Sequence, residues 1–131
     1  MPFFYTIFMN LLFLKIGAIF GALSVILGAF GAHALKETLL SSGRFETYET
    51  AIKYSFYHSL ALILVGILSK EFTNKWLNYS GTCYIIGTII FSGSLLILCF
   101  SGVKAMGAVA PIGGTLLVLA WIFLFLGIPK V

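Results

Sequence analysis

Long runs without charged side chains constrain this chain more than any other feature. Residues 16–35, 79–101 and 109–128 contain no Asp, Glu, Lys or Arg, and residues 51–69 contain only Lys53, near one end. A helix of about 20 apolar residues crosses the roughly 30 Å hydrocarbon core of a bilayer. No ten-residue stretch alternates polar and apolar residues as a barrel strand would. The sequence therefore predicts four transmembrane α-helices and an all-α membrane fold.

The connections between the four runs are short, which predicts an up-down-up-down bundle with both chain ends on one side. We expect residues 1–131 to form a single membrane domain. Hydrophobic residues make up 60% of the chain and charged residues 9%, against roughly 45–50% and 25% in soluble domains. A surface this apolar is stable in lipid and not in water. The lipid bilayer is therefore the first partner that we expect.

The basic residues do not form a nucleic-acid-binding patch, although the net charge is +4. They stand at or near the ends of the apolar runs, where long side chains can reach the lipid headgroups. The two predicted sides carry equal numbers of Lys and Arg, so the positive-inside rule leaves the orientation open, with the termini inside as our working assignment. The eight basic residues of the chain are Lys15, Lys36, Arg44, Lys53, Lys70, Lys75, Lys104 and Lys130.

Small residues recur on single faces of the predicted helices. In lipid, helices associate by close backbone packing, which small residues allow. We therefore interpret these stripes as packing surfaces and not as a substrate path. The predicted packing residues are Gly17, Gly21, Ser24, Gly28 and Gly31 in the first run, Ser55, Ser59 and Gly66 in the second, and Gly113 in the fourth.

Four ordered motifs resemble a family of small uncharacterised membrane proteins, the YgdD/YwdK-like family. They are GAFGAHALK at 28–36, YETAIKY through HSLAL at 48–62, FSGSL at 91–95, and APIGG at 110–114 with Trp121. The chain departs from the family at Ser59, where alanine is usual, and by about ten additional N-terminal residues, so either Met1 or Met9 is the initiator. The resemblance covers residues 11–128 and implies a four-span membrane protein, found in bacteria with relatives in eukaryotes, that has no established activity.

The two histidines are the main candidates for chemistry, because ionisable groups inside a membrane are functional hypotheses by default. Antiparallel packing of the first two helices places His33 and His58 in the same half of the membrane, with Glu46, Glu49 and Tyr54 near them. This set is the predicted polar site. Three interpretations stay open: a hydrogen bond that fastens two helices, binding or proton handling, and a metal or haem ligand pair, although two ligands do not complete a zinc site.

The sequence contains no nucleophile with an adjacent base, no phosphate-binding loop and no complete metal-ligand set. We therefore expect a non-enzymatic protein of the bacterial plasma membrane, without a cofactor, that acts through helix–helix association as an accessory or structural subunit or as a homo-oligomer. One alternative is a small-solute or proton-linked transporter or channel that uses the His/Glu cluster. Another is a metal- or haem-binding redox protein. Trp121 lies too deep for the interfacial belt, so it is expected to pack in the core or against a partner.

Overall fold

The computed structural model describes residues 2–131 of the chain. Met1, one of the two predicted initiators, lies outside the described residues. The regular elements within the described range are α-helices. They are α1 (Pro2–Ala32), α2 (Lys36–Ser41), α3 (Phe45–Glu71), α4 (Lys75–Ser101) and α5 (Ala105–Gly127).

Two of the long helices, α1 and α3, continue through charged residues that bound the predicted spans. The first helix continues through Lys15, and a six-residue helix, α2, occupies part of the predicted loop 36–50. Lysine does not interrupt a helix, whereas local backbone geometry does. The side chain of Asn74 caps α4 by accepting a hydrogen bond from the Leu77 amide at 3.2 Å. The helix ends at Ser101, and Gly102 follows with a φ of 70° that favours glycine.

The prediction of an all-α membrane fold is confirmed. Among the described residues, α1, α3, α4 and α5 are each long and apolar enough to cross a bilayer. The close helix pairs are α1 with α3, α3 with α4 and α4 with α5, which is the sequential packing of an up-down-up-down bundle. Apart from these pairs, Phe13 of α1 lies over Gly81 of α4, where a Cβ atom would fall within 2.3 Å of the ring.

Small residues of α1 lie directly against α3. A Cβ atom on Gly31 would overlap the ring of Tyr48, at 2.3 Å, and one on Gly17 would lie 2.6 Å from Ile63. Farther along the same interface, the Ser24 and Ser55 hydroxyls are hydrogen-bonded to each other at 2.9 Å. The remaining residues of the predicted packing set also meet neighbouring helices: Gly21 meets Ser59, Gly28 meets Ile52, Gly66 meets Leu14, and Gly113 meets Phe91.

The buried core lies where α3, α4 and α5 meet, with one contribution from α1. The core residues are mainly aliphatic and aromatic. Beside them, two serine hydroxyls form hydrogen bonds between helices. Ser80 donates to the Ala120 carbonyl and Ser92 to the Ala51 carbonyl, each at 2.7 Å. The fully or almost fully buried apolar members include Phe13, Leu62, Val65, Leu77, Tyr84 and Leu117.

Candidate functional site

His58 occupies the centre of the bundle and is only 6% exposed. Its Nε2 atom lies 3.2 Å from the indole Nε1 of Trp121, and its Nδ1 atom lies 2.7 Å from the carbonyl oxygen of Tyr54. An indole N–H can only donate, so Nε2 of His58 accepts and Nδ1 carries the proton. The geometry thus assigns a neutral imidazole whose two nitrogens are both hydrogen-bonded.

Aromatic rings surround this imidazole, and we call Tyr54, His58, Tyr84 and Trp121 the aromatic clasp. The His58 ring centre lies 5.6 Å from that of Tyr84 and 6.1 Å from that of Trp121. Tyr84 and Trp121 meet edge to face at 5.4 Å, an arrangement that favours aromatic pairs. The clasp takes its residues from α3, α4 and α5. It therefore connects α3 with α5, two helices that do not pack closely against each other.

Two hydroxyl groups in and beside the clasp, those of Tyr84 and Thr88, have no hydrogen-bond partner among the described residues. The Tyr84 side chain is fully buried, and neither its hydroxyl nor that of Thr88 is hydrogen-bonded within residues 2–131. Tyr84 therefore contributes its ring to the clasp and not its hydroxyl. Ser92, which the sequence did not mark as part of the site, lies one turn beyond Thr88 and is hydrogen-bonded to α3.

The structure does not bring the predicted polar site together. His33 is exposed in the turn after α1, two residues beyond Gly31, which contacts Tyr48. His58 is ten residues farther along α3 than Tyr48, a rise of about 15 Å at 1.5 Å per residue. Depth and direction both separate the histidines, because His58 faces α4 and α5.

The other three predicted residues divide between these two locations. Glu46 and Glu49 lie in the first turns of α3, at the same end of the bundle as His33. Tyr54 stacks on His58 at 6.0 Å between ring centres. His33, Glu46 and Glu49 thus share one end of the bundle, and His58 with Tyr54 lies farther along α3.

The described residues also offer no set of metal ligands. No group of three or more His, Cys, Asp or Glu side chains within residues 2–131 lies close enough to hold a metal ion. The two histidines cannot act as a pair across their separation. Among residues 2–131, neither a histidine pair nor a cluster of three such side chains is assembled.

Sequence reasoning identified His58 and Tyr54 but missed Tyr84, and it left the partner of Trp121 undecided. A tryptophan in the middle of an apolar run was the available signal, because an indole N–H in lipid needs an acceptor. His58 is the acceptor. Nothing in the sequence distinguishes Tyr84 from a residue that faces lipid.

A model of the family described as "Protein of unknown function (DUF423)" matches residues 27–114. The UPF0382 membrane protein SH2409 of Staphylococcus haemolyticus is 40% identical over 115 residues, covering 88% of this chain and 93% of that protein. The UPF0382 membrane protein SSP2132 of Staphylococcus saprophyticus is 39% identical over 119 residues, covering 91% and 98%. The UPF0382 membrane protein YwdK of Bacillus subtilis is 34% identical over 119 residues, covering 90% and 96%.

No solved structure matches the chain. The family match covers more than half of the sequence, and the relatives align over nearly their whole length. Together with four apolar helices long enough to span a bilayer, these similarities confirm the predicted resemblance and the location in a membrane. The chain belongs to the DUF423 family of proteins of unknown function, and the three relatives above are bacterial membrane proteins.

Proposed function

We propose that this protein is a non-enzymatic accessory subunit that packs against another membrane protein through α1. The way polar groups are used inside the bundle supports a structural role. His58, Ser80 and Ser92 each form a hydrogen bond to a neighbouring helix. Hydrogen bonds of this kind hold transmembrane helices together.

One face of α1 remains without a neighbour in the monomer. We define the outer face of α1 as Lys15, Ala18, Ala22, Val25 and Ala29, which are all exposed. Their spacing of three, four, three and four residues places them in one stripe along the helix. Three alanines on such a stripe allow a second helix to approach closely, and α1 is the least buried of the four candidate spans.

The position of Lys15 along the bundle is the observation that carries the proposal. Two residues later, Gly17 contacts Ile63, and one residue earlier, Leu14 contacts Gly66. Lys15 therefore lies level with the segment between Ile63 and Gly66, about 10 Å before the end of α3 at 1.5 Å per residue. A lysine at that depth is costly in lipid and is usually paired. A partner helix with a carboxylate or a free carbonyl on the facing side would supply that pairing.

The same lysine argues against a second copy of this chain as the partner. A twofold dimer through the outer face of α1 would bring the two Lys15 side chains toward each other across the axis. Like charges at close range in a medium of low dielectric constant repel strongly. A different membrane protein with a complementary group suits the face better.

Purification from the native membrane in mild detergent, after cross-linking, tests this proposal. We expect a partner of defined mass with the wild type and its loss in both Ala22→Leu and Lys15→Leu, because the first blocks close approach and the second removes the paired charge. Ala108→Leu makes the same change in size at an exposed position of α5. This control variant should retain the partner.

Three results would contradict the proposal. A monomer without a partner at every stage would remove the association itself. Co-elution of two differently tagged copies, abolished by Ala22→Leu, would replace the accessory subunit with a homo-oligomer. Retention of the partner by Lys15→Leu would mean that Lys15 reaches the headgroups instead and takes no part in association.

A further inference from the structure

A groove with two unpaired opposite charges lies between α1 and α3, at the end of the bundle near α2. We call it the interfacial groove. It has a volume of about 220 Å³. Gly28 and Gly31 line its α1 side, Phe45 and Ile52 line its α3 side, and Glu49 and Lys53 contribute its charges. This surface is separate from the outer face of α1.

The two charges of the groove have no partner within residues 2–131. Glu49 and Lys53 are four residues apart on α3, a spacing at which such pairs often form salt bridges. Neither side chain makes a hydrogen bond or an ion pair in the structure of residues 2–131. Glu49 is half-buried and Lys53 is exposed, so a carboxylate and an ammonium group are both available to a ligand.

The depth of the groove matches the headgroup layer of a bilayer. Lys53 and Lys70 are seventeen residues apart on α3, about 26 Å along the axis at 1.5 Å per residue. A hydrocarbon core of roughly 30 Å fits between the two lysines if their side chains extend outward to the headgroups. Lys53 then lies at the edge of the hydrocarbon, and Glu49 lies about 6 Å closer to water.

The relative depth of the positive and the negative charge determines which ligand fits the groove. In phosphatidylethanolamine the phosphate is attached to the glycerol, and the ammonium group follows a two-carbon linker, nearer to water. The positive group of the groove is the deeper one and the negative group the shallower one, so each faces its opposite. We propose that the interfacial groove binds the headgroup of phosphatidylethanolamine, with Lys53 on the phosphate and Glu49 on the ammonium.

The glycines make the groove accessible without weakening the helix interface. A Cβ atom on Gly28 would make only ordinary contact with Ile52, at 3.6 Å. A larger side chain at position 28 would extend into the groove. Gly28→Leu therefore fills the site, and Gly93→Leu is the matched control, because nothing lies within 4 Å of a Cβ atom on Gly93.

Native mass spectrometry from detergent, with phosphatidylethanolamine or phosphatidylglycerol of identical acyl chains, measures the preference. For the wild type and Gly93→Leu we expect phosphatidylethanolamine to be retained over phosphatidylglycerol. Glu49→Gln, Lys53→Gln and Gly28→Leu should each weaken retention of phosphatidylethanolamine on the order of tenfold, since one charge-assisted contact or the space for the headgroup is lost.

The exchanged variant Glu49→Lys/Lys53→Glu is the decisive test. It keeps the composition and the spacing but reverses the order of charges with depth, so the preference for phosphatidylethanolamine should disappear. Circular dichroism must show unchanged helix content for each variant. Equal retention of the two lipids by the wild type would overturn the proposal, and so would an unchanged preference in the exchanged variant or in Gly28→Leu.

Discussion

The middle and the N-terminal end of α3 treat polar side chains in opposite ways. At the middle, both nitrogens of His58 are hydrogen-bonded and the ring is enclosed by aromatic groups from α4 and α5. At the N-terminal end, Glu49 and Lys53 border a groove and bond to nothing within the described chain. In the middle of the membrane, an unpaired polar group is expensive, whereas at the interface, water and headgroups can satisfy it.

The residues that hold the bundle together are therefore different from the residues that are available for binding. His58, the most conspicuous candidate in the sequence, belongs to the first group. The charges at the start of α3 belong to the second. Substitutions in the two regions should therefore differ in their effects on the stability of the bundle and on binding.

The largest expected difference comes from adding one methyl group in each region. In Gly113→Ala, the new Cβ atom would lie 2.3 Å from the backbone nitrogen of Phe91, which cannot move without separating α4 from α5. We expect a loss of about 2 kcal/mol or more in the free energy of unfolding. In Gly28→Ala, the same atom makes ordinary contact, so the change should stay within about 1 kcal/mol of the wild type. Denaturant unfolding in detergent micelles measures both. Equal effects would contradict the described packing of α4 against α5.

A smaller effect is expected from loosening the aromatic clasp. Trp121→Phe keeps an aromatic ring but removes the donor to His58, leaving a buried acceptor unpaired. We expect a loss of about 1 kcal/mol. Tyr84→Phe is the matched control, because the hydroxyl that it removes has no partner in the described residues, and its cost should be close to zero. If Tyr84→Phe were the more damaging variant, the assignment of the hydrogen bond to Trp121 and His58 would be wrong.

The sequence was sufficient for the number of long apolar helices, for their sequential packing and for the family. Charge-free runs of about 20 residues and short connections determine those features. It did not give the ends of the helices, because a lysine such as Lys15 can lie inside a helix while a turn depends on residues such as Asn74 and Gly102.

The site was less accessible to sequence reasoning. Sharing one half of the membrane suggested that His33 and His58 meet, but one residue along a helix rotates a side chain by 100° and a few turns add more than 10 Å. His58 consequently faces α4 and α5, away from His33. The groove could not be read from the sequence either, because its volume depends on how closely Gly28 and Gly31 lie beside α3.

The state of the His58 ring tests the central claim most directly: that the polar centre of the bundle serves structure. Nitrogen-15 NMR of histidine-labelled protein in micelles at neutral pH distinguishes the ring forms, and a His33→Gln variant leaves one histidine to assign. We predict a neutral ring with the proton on Nδ1 and an accepting Nε2, and a change at the Nε2 resonance in Trp121→Phe. A doubly protonated ring, or a proton on Nε2, would contradict the account.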